Sequence, residues 1–98
     1  MKPDVRTYQQ ILCSALPSLR QKYPIASLAI FGSYASGNAT ENSDIDVLVS
    51  FNGPIGIEFI DLADELEIIT GKKVDLVSRE GLKPRQIAYI EKNLQYVG

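Results

Sequence analysis

The stretch from Ile30 to Val49 constrains this chain more than any other. An apolar run, Ser27 to Phe31, stops at Gly32-Ser33. After Tyr34-Ala35-Ser36-Gly37 and a short polar loop, a strand-like run resumes as Ser43-Asp44-Ile45-Asp46-Val47-Leu48-Val49. The pattern predicts a strand, a turn with room to cradle a phosphate, and a second strand. Successive side chains of a strand point to opposite faces, so Asp44 and Asp46 project to one side and Ile45 and Val47 to the other. Carboxylates placed side by side resist joint ionisation unless a cation lies between them, and all-oxygen ligation suits Mg²⁺ or Mn²⁺.

Each piece has a plainer reading. Gly32-Ser33 alone is a simple Gly-Ser turn, and Gly32 to Gly37 matches neither a Walker P-loop, which needs Lys, nor a dinucleotide fingerprint. The Asp-x-Asp at this distance favours the phosphate reading, in which Gly32 lets a phosphate approach and Ser33 adds a hydroxyl and an amide donor. Asp is depleted in strands. Asp44 is also explicable as a turn or cap residue at the strand start. Asp46 and Asp75 sit inside apolar runs, where an unpaired charge is costly unless it is ligated.

Along the chain, Val5, Tyr8, Leu12, Ala15 and Leu19, with Ile11 and Leu16 beside them, predict an amphipathic helix over 4–22. Pro17 predicts a kink or break near Leu16, and Tyr23-Pro24 an end. The lone Cys13 falls in this helix and is expected to be a buried thiol. Strands are predicted at 25–31, 44–51 and 73–78, with a mobile loop at 38–43 and a turn at Asn52-Gly53-Pro54. A helix is predicted over about 56–70, capped by Gly71, with Asp64 and Glu65 merely solvated. Gly81 to Pro84 is a break, and Ile87, Ile90 and Leu94 mark a last helix. This order predicts an α/β fold (α+β), a small mixed sheet packed with helices.

The Gly-Ser turn, the Asp-x-Asp strand, the Asn52-Gly53-Pro54 turn and the later Lys73-Val74-Asp75-Leu76-Val77 together resemble the DNA polymerase β-like nucleotidyltransferase superfamily. At 98 residues the chain is most similar to the minimal nucleotidyltransferases, antitoxin partners of HEPN-domain toxins. The resemblance implies the polymerase β-like nucleotidyltransferase fold. It also implies transfer of a nucleoside monophosphate, AMP from ATP, to a protein hydroxyl of a cognate HEPN toxin. Gly32 and Ser33 would bind the nucleotide. Asp44 and Asp46 would hold two divalent ions, with Asp75 completing the second site and assisting deprotonation of the acceptor. Many relatives carry Arg where this chain has Ser36, leaving one cation fewer near the phosphates. The competing readings are a non-catalytic antitoxin that occludes its partner and a small-molecule nucleotidyltransferase, the latter disfavoured because no substrate domain is present.

Composition sets the remaining bounds. The length fits one domain, 1–98, expected to borrow part of its site from a partner. The absence of His removes Ser-His-Asp and Cys-His catalysis and His-based zinc sites. A single Cys forms no internal disulfide, which fits a reducing cytoplasm. No apolar run approaches the ~20 residues of a membrane span, so no membrane role is expected. A net charge of −2 argues against general nucleic-acid binding. The charge is unevenly spread: 1–70 hold four basic and nine acidic residues, whereas 71–98 hold six basic and three acidic. That basic segment is either a solvated face or a patch for a triphosphate or an acidic partner.

Overall fold

The structure, a computed structural model, describes residues 4–98. Helix α1 (Val5–Lys22) begins where the Asp4 carboxylate accepts the Arg6 amide at 2.9 Å, satisfying one of the first-turn donors. It presses Leu12, Leu16 and Leu19 into the core, with Val5, Tyr8 and Ala15 packed against the same cluster. Of the kink or break expected near Leu16, the break does not occur: α1 runs unbroken through Pro17. Pro17 lies on the exposed face, where water can take up the carbonyl that its missing N–H leaves free, while buried Leu16 and Leu19 hold the flanking turns. Cys13 is exposed rather than buried, because it stands one residue, about 100° of helix, beyond buried Leu12.

Strand β1 (Ile25–Phe31) is followed at once by the five-residue helix α2 (Gly32–Ser36), then by β2 (Ile45–Phe51), α3 (Glu58–Thr70) and β3 (Val74–Ser78). β2 and β3 are parallel neighbours, which requires a crossover, and α3 supplies it. Gly71, at φ 69°, closes α3 in the left-handed conformation expected of it. A 3-10 turn (Arg79–Gly81) leads to α4 (Pro84–Ile90), with Pro84 in its first turn; a second 3-10 turn (Glu91–Asn93) leads to β4 (Gln95–Val97).

β4 was absent from the expected order, and the last helix ends at Ile90, short of Leu94. Three residues carry too little alternation to announce a strand. β4 becomes one by pairing antiparallel with β1, Leu28 opposite Val97, and Val97 is buried there. The four-stranded mixed sheet has the order β3-β2-β1-β4.

α1 and α3 cover one face of this sheet. Ile45, Val47 and Val49 of β2 meet Leu12, Leu19, Leu62 and Leu66 in one cluster. A register irregularity between Ile25 and Ser27 resets the alternation, so Ile25, Leu28 and Ile30 all join that core. The opposite face carries Phe31, Asp46 and Asp75. Among the described residues no helix is long and apolar enough to cross a membrane.

Candidate active site

The period-2 alternation that commits Ile45 and Val47 to the core turns Asp46 to the other face. Parallel pairing then places Asp75 of β3 beside Asp46 of β2, and antiparallel pairing places Phe31 of β1 on its other side. Asp46 is partly buried, while Asp44 and Asp75 are exposed. Burial pushes the Asp46 carboxyl above its ordinary value, and the neighbouring Asp75 and then Asp44 push it in the same direction. Asp75 therefore touches the electrostatics of Asp46 more strongly than Asp44 does, although Asp44 lies closer in sequence.

Gly32 is explained by the same carboxylate. Its φ is +70°, and a Cβ there would overlap Oδ2 of Asp46 and meet its Cγ at 3.0 Å. The sequence suggests that glycine makes room for a phosphate; the structure shows that it first makes room for Asp46. α2 is anchored by buried Tyr34, whose ring meets that of Tyr8 edge-on at 5.3 Å between centroids. With only five residues, α2 adds little dipole of its own, so Ser33 acts through its own hydroxyl and amide. The Ser36 hydroxyl is turned back to the Ser33 carbonyl at 3.2 Å, and Asn38 donates to it at 3.2 Å.

A cavity of about 550 Å³ opens on α2, within the range of small-ligand sites. One wall is Phe31, Gly32, Ser33, Ser36 and Asn38; the other is Tyr89, Ile90, Lys92 and Asn93. None of the three carboxylates lines it, and Asp46 meets it through Gly32. Sequence reasoning did not anticipate the second wall. Nothing in the spacing signals residues more than fifty positions away, and the exposure of Tyr89, 75%, is evident only in the fold.

The loop 38–43 beside the site, expected to be mobile, carries contacts of its own. Lys72 donates to the Glu41 carbonyl at 2.6 Å, the Thr40 amide to the Ser43 hydroxyl at 2.9 Å, and Ala39 is buried.

Asp46 and Asp75 suit a divalent ion in chemistry: hard oxygen donors, adjacent negative charges, and a partly buried Asp46 carboxyl whose ionisation a cation would favour. Among the described residues no three acidic or other ligating side chains are gathered so that they could hold a metal ion, so Asp44 does not join Asp46 and Asp75 in one cluster. An open site of this kind leaves coordination positions for substrate phosphates.

A family model described as "Nucleotidyltransferase domain" matches residues 12–97. The chain is 42% identical over 93 residues to a Methanocaldococcus jannaschii protein provisionally named a protein adenylyltransferase, covering 91% of this chain and 93% of that protein. It is 36% identical over 90 residues to the protein adenylyltransferase MntA of Thermococcus cleftensis, covering 91% of each. One solved structure is that of a tri-AMPylated Shewanella oneidensis HEPN toxin in complex with an MNT antitoxin. A chain of it matches with a TM-score of 0.68 at 22% identity, over 92% of this chain and 71% of that one. At that identity the structural match speaks for the fold.

Proposed function

Because the chain belongs to the nucleotidyltransferase family, as one of its minimal members, we propose that it is an antitoxin that transfers AMP from ATP to a hydroxyl of a HEPN-type toxin. Residues 1–98 act as one domain, in the cytoplasm, with Mg²⁺ or Mn²⁺ as cofactor. The observation that carries this reading is the packing of the Asp46 carboxylate against Gly32 and beside Asp75, at the edge of a cavity large enough for a nucleotide. The protein-adenylyltransferase relatives favour a protein acceptor, and the tri-AMPylated HEPN toxin bound to a similar chain favours that toxin class.

Gly32 and Ser33 receive the triphosphate, with the Ser33 hydroxyl and amide as donors and the bare Gly32 backbone allowing close approach. Asp44, Asp46 and Asp75 would hold the divalent ions, two in the full site. When bound, the metal supplies charge neutralisation for the phosphates and acidity for the acceptor hydroxyl. Asp75, exposed at the sheet edge, would accept the proton of that hydroxyl. The acceptor oxygen forms a bond to the α-phosphorus, the bond from that phosphorus to the bridging oxygen breaks, and pyrophosphate leaves in line with the electron pair. AMP on the toxin adds bulk and negative charge, which opposes binding of a phosphate-bearing substrate there.

Incubating the chain with ATP, Mg²⁺ and a HEPN-type partner, and weighing the partner by intact mass spectrometry, tests the proposal. The expected result is an AMP-sized increase that EDTA abolishes. No increase, together with full neutralisation of the toxin by an Asp75→Asn variant, would replace catalysis with occlusion.

A further inference from the structure

Of the nine residues lining the cavity at α2, one is charged: Lys92, in the 3-10 turn that packs against α2. No carboxylate lines that space. The other basic residues of the C-terminal segment are placed elsewhere. Arg79 pairs with Glu91 and Lys72 holds the Glu41 carbonyl, while Lys73, Lys83 and Arg85 lie outside the cavity lining. Lys92 makes no salt bridge among the described residues; its Nζ rests over the Tyr89 ring, 5.6 Å from the centroid. At an exposed site such a contact is weaker than a charged hydrogen bond to phosphate, so a bound phosphate can draw the ammonium from the ring.

We propose that Lys92 binds the nucleotide's phosphates, reaching them from the wall opposite Ser33. The inference rests on the nucleotidyltransferase reading above and adds a binding residue to it. The physical need is plain. A triphosphate entering beside Asp46 and Asp75 brings several negative charges to a region already negative, and the α2 wall offers neutral donors only. A flexible ammonium on the facing wall neutralises charge without demanding a fixed fork geometry. Ser36 lies on the same cavity wall as Ser33, so a cation introduced there would face the same ligand.

The test is a calorimetric titration of the full chain with ATP in Mg²⁺, at several NaCl concentrations. Lys92→Gln is expected to weaken ATP about tenfold, the loss of one charge-assisted contact, and to flatten the salt dependence while leaving the melting temperature unchanged. Lys92→Arg is expected to retain affinity, and Ser36→Arg to restore part of it in the Lys92→Gln background. Wild-type affinity and salt dependence in Lys92→Gln would overturn the assignment while leaving the function intact. A wild-type chain that binds no ATP would overturn both.

Discussion

Gly32 and Asp46 compete for the same volume, and the fold resolves the competition by removing a side chain. Gly32→Ala would combine a left-handed backbone conformation unfavourable to alanine with displacement of the Asp46 carboxylate. We expect it to lose about 1–3 kcal/mol of stability and most transferase activity. In a double-mutant cycle with Asp46→Ala, the part of that cost due to the collision should vanish and the backbone part remain. Strict additivity in urea denaturation would show that the two groups do not collide. Asp46 itself carries a pH-dependent cost. Its carboxyl is raised above 3.8 in the folded protein, so stability falls as pH rises from that value through the folded one, and the ionised group opposes folding at pH 7 when no metal is present. Asp46→Asn should therefore hold or raise the melting temperature in EDTA while reducing Mg²⁺-dependent transfer to background. A marked loss of stability in EDTA, or undiminished transfer, would remove Asp46 from the metal site.

At the scale of elements, the end of α1 is fastened to α3 by Glu65, which accepts from Lys22 Nζ at 2.7 Å and from the Tyr23 hydroxyl at 2.9 Å. Glu65 is thus a structural contact rather than a solvated charge. Its hydrogen bonds with Lys22 and Tyr23 hold its carboxyl below the ordinary 4.5, while burial and then Glu65 push the Tyr23 phenol up to about 12. A depressed carboxyl contributes stability above its unfolded value and loses it as pH falls through the folded one. Glu65→Gln should cost about 0.5–1 kcal/mol at pH 7, since the largely exposed Lys22 is screened by solvent. The difference from wild type should narrow at a second, acidic pH, as the carboxylate is protonated through its lowered folded value. Chemical denaturation at the two pH values checks this, and a gap that persists in acid would mean that geometry rather than charge is responsible.

Over the whole molecule, charge is divided: the six basic and three acidic residues of 71–98 follow a strongly acidic first part. Lys83 and Arg85, exposed at the start of α4 and outside the cavity lining, are free to steer a partner without touching the nucleotide. If the partner docks there, reversing both charges (Lys83→Glu with Arg85→Glu) should raise the KM for the toxin several-fold at low salt, with convergence at high salt. Binding of ATP should be unchanged. An unaltered KM across the salt series would return these residues to the role of solvated charges.

The fold class, β1, and the cores of α1, α3, β2 and β3 were legible because each element repeats its own period in the sequence, and burial follows that period. Gly32, Ser33, Asp44, Asp46 and Asp75 were legible as unusual residues inside those patterns. What no local pattern could carry were relations between distant segments. Parallel pairing of β2 with β3 sets Asp75 against Asp46; the three residues of β4 become a strand only against β1; and the turn after α4 brings Lys92 across from Ser33. The exposure of Cys13 and the unbroken course of α1 at Pro17 escaped local reading for a related reason, since both depend on which side of α1 faces the sheet. Periodicity tells a residue its place on its own element, whereas its neighbours across the fold are decided by packing, where the free energy of burial is gained.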